Sequence, residues 1–600
     1  MINTKTKFSI YAICLTLFLS QLGLGTPNSS LAQTENLEFN LDVNSNTVPL
    51  PRIFRPDIDL SGRGFHKQSF WPQGVAIKEA LDTWQQDIGF GNLYRLQYNL
   101  WEINALARDK EAQEKLLANY ENIIKAINDA QGIVILNIFS TPAGLGKALD
   151  KKSAPWNLKA FKSLVKQMIQ TLSCEKKYNI WYEVWSAPDL DDFYLGRKQE
   201  YLNLYRAVAE AVTELRAEYK KHIPIGGPST SWWFQNLEGN NIVSPERSLI
   251  YELIKFCYRY HLPLDFISWH GYSTDPKIEK ELTSYNKTGI ALIRDWLSYF
   301  HFDRDTPLIV DEWNYDSGAN MVSERHEKSN VCASYILSRM KHMYEAGLDY
   351  QVYFSLEDFQ NNKEQVSRNV GVFWFDKEST HKRGTKSTYN VFRMLSGLDK
   401  DMFGSPLKSE DEFVDILATK DKDDLKIIVY NYCDPGIATN YISRNIGTLN
   451  NAERKILLNL IKSRKLERII RRELDLATLR LTNRLKTLFK KAQELNEQGV
   501  KFSNAERTIK INIKNLKDDY TYARYAVDSS STLNCDFAPA EEKTIKITDV
   551  YQEALILKPY SVNMLVFKKK PKEPQASGTE SAGQSASGEP SKKEQTPALP

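Results

Sequence analysis

"WYEVWSAPDL", residues 181–190, runs from an apolar stretch into a polar loop through Pro188. Period-two alternation puts Glu183 on the face of position 187, about 13 Å deeper at ~3.3 Å per residue, so Glu183 belongs to an interior and 187 to a rim. Working outward, comparable runs recur between long helical patterns: "LYRLQYNL" (93–100), "GIVILNIFS" (132–140), "NIWYEVW" (179–185), "IPIGGPS" (223–229), "FISWHGY" (266–272), "PLIVDEW" (307–313) and "YQVYFSL" (350–356). A first strand is expected near 61–65, and intervening segments such as 160–172 show 3.6-residue apolar spacing. Eight strands alternating with helices predict an α/β fold, a closed (β/α)8 TIM barrel over residues 50–400. Such barrels carry their chemistry on the loops after the strands, so the polar residues at strand ends are the ones to weigh.

Beyond Leu398 the pattern changes to short alternating strands, "LKIIVYNY" (425–432), "TIKINIKN" (508–515), "KTIKIT" (543–548) and "SVNMLVF" (561–567), and "EFNLDV" (38–43) reads the same way. They predict an all-β sandwich module built from 38–49, 401–440 and 505–569. Within it lies a helical insertion over 451–498, with Asn450 and Glu453 spaced as a capping box and Gly499 as a stop. Leu481, Leu485, Leu488, Ala492 and Leu495 recur at spacings of four and three, so the segment is one long helix or a hairpin. Its basic polar face leaves two readings open: an arm for a protein partner or a membrane surface, or a helix packed on its own domain. Residues 570–600, rich in Pro, Ser, Gly, Lys and Glu, are expected to be a disordered tail.

At the chain start Lys5 and Lys7 precede an apolar run, 8–24, and Ser30, Leu31 and Ala32 offer small residues for cleavage. The expectation is a signal peptide over 1–32 and an extracytoplasmic protein, secreted or periplasmic, with an uncleaved membrane anchor as the alternative. A net charge of +4 over 600 residues is too slight an imbalance to indicate nucleic-acid binding. Outside the leader Cys174, Cys257, Cys332, Cys433 and Cys535 are scattered, which fits neither a disulfide framework nor a zinc site. Whether Cys433 and Cys535 pair is left open by sequence.

The stretches "YEVWSAPDLDDFY" (182–194), "LDFISWHGYSTDP" (264–276), "PLIVDEWN" (307–314), "GVFWFDKE" (371–378) and "KPYSVNMLVF" (558–567), in that order, resemble glycoside hydrolase family 39. This group holds β-xylosidases, α-L-iduronidases and bacterial exopolysaccharide-processing hydrolases. The resemblance covers most of 50–435 and resumes near 505. It implies retaining hydrolysis of β-glycosides or exopolysaccharide by two carboxyl groups, without metal or organic cofactor, and a carbohydrate partner. The family pattern maps its nucleophile onto Glu312. Arg95 would hold that carboxylate ionised, and His270 with Tyr272 match the family's His-x-Tyr at the end of strand six.

At strand four the chain departs from the family. Where the pattern has Asn-Glu before proline, this sequence has Ser186 and Ala187. Ser186 can still hydrogen-bond a sugar, whereas Ala187 cannot transfer a proton, so the acid/base position is vacant. Among the loop acids Asp189, Asp191 and Asp192, Asp189 is a candidate substitute acid. Trp185, Trp232, Trp233 and Trp374 are candidates for stacking on sugar rings. Three readings follow: a hydrolase with its acid supplied from elsewhere, a non-catalytic glycan-binding pseudo-glycosidase, and an envelope-assembly interaction protein.

Overall fold

The computed structural model describes residues 36–62, 74–76, 78–233, 244–283, 285–316, 330–360, 366–375, 383–404, 412–531 and 533–571. Eight parallel strands close into a barrel: Ile58–Asp59, Leu93–Asn99, Ile133–Phe139, Ile180–Val184, Ile225–Thr230, Phe266–Tyr272, Leu308–Asn314 and Tyr350–Tyr353, called strands one to eight below. The fold is the (β/α)8 barrel that alternating runs and helical patterns predict. Strand one is the exception, lying at Ile58–Asp59 rather than near 61–65. It has no long apolar run because buried aspartates flank and fill it: Asp57 Oδ1 accepts from the Leu93 amide at 2.8 Å, and Asp59 faces Arg95.

The surrounding helices begin where the sequence supplies side-chain caps. Asp109, Asn157, Ser248 and Thr288 accept from first-turn amides of the helices Lys110–Asp129, Leu158–Ile169, Leu249–Tyr260 and Gly289–Tyr299. At the amino-terminal end of the barrel Leu93, Ile135, Phe266, Ile309 and Val352 form a fully buried apolar plug. Polar interior residues are thereby left to the other end, where the strand-end loops open. The register between strands five, six and seven shifts at Ser268/Trp269 and Trp269/His270, and that between seven and eight at Val310/Trp313. Such irregularities turn consecutive side chains into one space, and here they lie beside His270 and Glu312.

Two further sheets pack on a core that includes Phe39, Leu41, Val429, Ile511, Ile513 and Phe567. One has Asn36–Asp42 parallel to Arg507–Lys514, which pairs antiparallel with Val550–Leu557. The other has seven strands and joins Thr47–Pro49 and Asp401–Phe403 to Val414–Asp421, Asp424–Asn431, Val562–Lys569, Asp518–Val527 and Glu541–Ile547.

Between Asn431 and Arg507 the chain forms the helices Ile437–Asn445, Asn451–Lys462, Lys465–Ile470 and Asn483–Asn504, around a core of their own that includes Leu457, Ile469, Leu485, Phe489 and Ala492. The insertion is therefore neither one long helix nor a simple hairpin. The capping box exists: Asn450 accepts from the Glu453 amide at 2.9 Å and Glu453 from the Asn450 amide at 3.0 Å. Gly499 does not stop the last helix, which continues to Asn504 because Phe502 is fully buried against Phe413 and Tyr560. Tertiary burial outweighs the roughly 1 kcal/mol that an internal glycine costs.

The expected signal peptide, 1–32, lies outside the described residues, as does the expected tail beyond Pro571. Among the described residues no helix is long and apolar enough to cross a membrane. No disulfide joins Cys433 and Cys535.

Candidate active site

Arg95, on strand two and 1% exposed, is the centre around which the interior is organised. Its Nε donates to Glu183 Oε2 at 2.7 Å, its Nη1 to Glu312 Oε1 at 2.6 Å and Asp59 Oδ2 at 3.0 Å, and its Nη2 to Ser229 Oγ at 3.3 Å. Asp311 stands 3.8 Å from Nε. One buried guanidinium thus answers carboxyl groups from strands one, four and seven, an arrangement that only barrel closure produces. Burial of this many acids forces a division of protons. Burial first, and then the charge of Glu183, push Asp311 well above the usual carboxylate range. Burial also acts on Glu183, but the charge of Arg95 together with hydrogen bonds from Asp311, Ser268 and Arg95 outweighs it and holds that carboxyl down. Asp59 is pushed up to about 6 by burial, against the pull of Arg95.

Glu312, 3% exposed at the end of strand seven, is the carboxylate this centre serves. Besides Arg95 it accepts from the Tyr272 hydroxyl at 3.0 Å and from Ser186 Oγ at 3.4 Å, and His270 Nδ1 lies 3.5 Å from Oε2. Burial alone would raise its pKa; His270, Arg95 and the Tyr272 hydroxyl outweigh burial and hold it below the usual glutamate range. Burial pushes the His270 imidazole below its own ordinary value, so at neutral pH the lasting positive charge beside Glu312 is that of Arg95. His270 Nε2 and Ser229 Oγ lie 3.1 Å apart, and Ser229 Oγ also donates to Asp311. An ionised, desolvated carboxylate held from both sides is what attack on a sugar carbon requires.

The end of strand four reaches the same place, since Ser186 touches Glu312. Its backbone is specialised: Trp185 has φ 71°, Ala187 φ 44°, and the Ala187 amide donates to the Ser229 carbonyl at 2.7 Å, where Ser229 itself has φ 52°. Left-handed conformations at non-glycine residues are uncommon and cluster at functional sites. The side chain at 187 is nonetheless a methyl group, 1% exposed. Two residues on, half-buried Asp189 accepts from the Ser231 amide at 2.8 Å and from the Ser231 hydroxyl, which pins the loop to the end of strand five. Burial pushes its carboxyl up to about 6, against the Ser231 bonds. Asp191 and Asp192 are exposed.

Glu312, Arg95, Ser186, His270 and Tyr272 are thus brought together. Trp185 is not part of that group: it is fully buried, its indole N–H bonds the Phe193 carbonyl at 3.1 Å, and its ring packs between Phe139 and Tyr194 at 5.3 and 5.1 Å, so no face is open to a sugar. Trp374 is half-buried, with its N–H on Asn534 Oδ1 at 3.2 Å. Sequence reasoning did not single out Asp59, Asp311 or Ser229. For the two aspartates the signal was a charge in or beside a buried strand, and for Ser229 there was none. Among the described residues no group of His, Cys, Asp and Glu is arranged to hold a metal ion.

The sequence profile of the glycosyl hydrolases family 39 matches residues 148–474, from the loop after strand three into the helical insertion. A β-xylosidase of Geobacillus stearothermophilus is 27% identical over 253 residues, covering 40% of this chain and 45% of its own. A β-xylosidase of Caldicellulosiruptor saccharolyticus is 23% identical over 269 residues, 42% of this chain and 49% of its own. The chain thus spans about half the length of the curated relatives it matches. In three dimensions it is similar to the family 39 enzyme from Xanthomonas axonopodis pv. citri, with a TM-score of 0.59, 14% identity, and coverage of 90% of this chain and 98% of that one. At such identity the structural likeness speaks to the fold alone. The profile match spans more than half of the sequence, so the chain belongs to the glycosyl hydrolases family 39.

Proposed function

We propose that this protein cleaves β-glycosides with retention of configuration, Glu312 attacking the anomeric carbon, at a site whose acid/base position has been vacated by Ala187. The observation that carries the reading is the Glu312 carboxylate, buried yet ionised, with Arg95 at 2.6 Å and the Tyr272 hydroxyl at 3.0 Å. A group kept charged at that cost is placed for chemistry; removing Arg95 would leave an uncompensated buried charge. The xylosidase names of the relatives make β-xylosides the first sugars to test, and the leader-like residues 1–32 favour glycans outside the cytoplasm. Ser186 keeps a hydroxyl where a sugar 2-hydroxyl would be bound.

Without a general acid, cleavage of poor leaving groups falls by about 10²- to 10⁴-fold. Leaving groups that depart as stable anions escape this loss. Asp189, on the loop after strand four, has a carboxyl pushed up to about 6 by burial, and its share is tested by Asp189→Asn.

A second reading, a glycan-binding protein without turnover, is favoured by one observation, the methyl group of Ala187. The experiment that separates the two is release of dinitrophenolate from dinitrophenyl β-xylosides, β-glucosides and β-glucuronides, with and without azide, for the native chain and Glu312→Gln. Release that depends on Glu312 and is accelerated by azide supports hydrolysis. Silence on all three sugars, from a protein that still binds polysaccharide, replaces it with the binding reading.

A further inference from the structure

The loop leaving strand six carries charges that the scheme above does not use. Directly after Tyr272, this loop presents Asp275, Glu279 and Glu281, and it is gripped from two sides. On the barrel side Arg339, fully buried on the helix Val331–Glu345, donates Nη1 to the Asp275 carbonyl at 2.7 Å and Nη2 to the Gly271 carbonyl at 3.3 Å, and pairs with Glu279. From the same helix the Tyr335 hydroxyl donates to the Ser273 carbonyl. On the other side the grip comes from the insertion. Arg444, on the helix Ile437–Asn445, pairs with the carboxylates of both Asp275 and Glu281. Asn440 Nδ2 donates to Thr274 Oγ1 at 3.0 Å, and the Tyr432 hydroxyl, just before that helix, donates to the Thr274 carbonyl at 2.6 Å.

The residues 273–275 are therefore fixed jointly by a barrel helix and by the helical insertion. Asp275 is 5% exposed, and a buried carboxylate without its guanidinium would draw the loop toward water. The strand end that this loop continues carries the hydroxyl bonded to Glu312. The insertion has its own apolar core, so it can hold Arg444 as one packed unit rather than as a lone surface side chain.

We infer that the helical insertion is a positioning element of the active site: through Arg444, with Asn440 and Tyr432 beside it, it holds the loop after strand six and so keeps the Tyr272 hydroxyl against Glu312. This gives the insertion a role within the chain itself. Its kinetic arm rests on the reading of Glu312 as nucleophile; its structural arm does not.

The test compares the full chain with Arg444→Gln and with Arg444→Lys, the conservative variant that keeps the charge. Hydrogen exchange followed by mass spectrometry reads the loop directly: Arg444→Gln should speed exchange across 272–283 about tenfold or more, with strands two and four unchanged, and Arg444→Lys should restore most of the protection. With a dinitrophenyl β-xyloside, kcat should fall about tenfold in Arg444→Gln while KM changes little, the pattern of a lost contact to the reacting carboxylate. The acid limb of kcat/KM should also move to higher pH, in the direction set by Tyr272→Phe. The groups facing Glu312 are Asp59, Arg95, Ser186, His270, Tyr272 and Asp311, and Arg444→Gln alters none of them directly. Unchanged exchange at 272–283 overturns the clamp. Faster exchange with native kinetics overturns the positioning role. If Glu312→Gln turns over as fast as the native chain, the nucleophile reading fails, and the exchange result still decides the clamp.

Discussion

At the end of barrel strand seven, Glu312 is buried, ionised and held by groups from strands two, four and six; at the end of strand four, which touches it through Ser186, the backbone is equally specialised but the side chain is a methyl group. On the proposed reading, the two halves of retaining hydrolysis rest on different kinds of structure. Readying a nucleophile takes a whole constellation, because a buried carboxylate needs charge and hydrogen bonds from several strands. Supplying a proton takes one side chain on a shaped loop, and it can be lost while the loop keeps its form. Ala187 has a left-handed conformation and a bond to the Ser229 carbonyl, so on the proposed reading the frame for an acid stands without the acid.

The sharpest way to break the comparison is to remove the furnished side. Glu312→Gln should lower dinitrophenolate release by about 10⁴-fold or more, since no second group can attack; release within tenfold of native would show that strand seven is not the reacting end. The complementary change refills the empty side. Ala187→Glu with Ser186→Asn should raise cleavage of alkyl β-glycosides by about 10²-fold or more while changing dinitrophenyl rates by only a few-fold, which steady-state assays on the two leaving groups will separate.

The third prediction concerns stability. Arg95→Met strands Glu183, Glu312 and Asp59 around no counter-charge and should cost about 3–5 kcal/mol, seen as a lowered thermal midpoint by calorimetry. An unchanged midpoint would mean that these acids do not depend on the guanidinium. The mildest change is Tyr272→Phe. It removes one of the bonds that lower the Glu312 pKa, so that pKa rises and the acid limb of the pH profile of kcat/KM moves to higher pH. The same lowering stabilises the fold above the ordinary glutamate range and is lost as pH falls through the folded value.

Much of the barrel was legible in the sequence because its strands two to eight are runs whose period is local. Strand one was misplaced because it is only Ile58 and Asp59, preceded by Asp57, and buried charge hides an apolar pattern. For the site, Glu312, Arg95, His270 and Tyr272 were readable through motif resemblance. Asp59, Asp311 and Ser229 were not, since they become partners only when closure of the barrel brings strands one, five and seven around Arg95. Trp185 was a candidate for stacking on a sugar from its residue type alone, and the turn after it folds its ring inward between Phe139 and Tyr194, where it serves packing. In the insertion the capping box was visible, but the continuation through Gly499 depends on burial of Phe502, and the docking of Arg444 depends on a loop far away in sequence.

A working nucleophile on strand seven opposite a missing acid is tested most directly by trapping the intermediate. The native chain would be incubated with dinitrophenyl 2-deoxy-2-fluoro-β-xyloside and the corresponding glucoside and glucuronide, then digested and analysed by mass spectrometry. A glycosyl adduct is expected on the peptide containing Glu312, absent from Glu312→Gln. An adduct on another carboxylate, or no adduct from any of the three sugars, would contradict it.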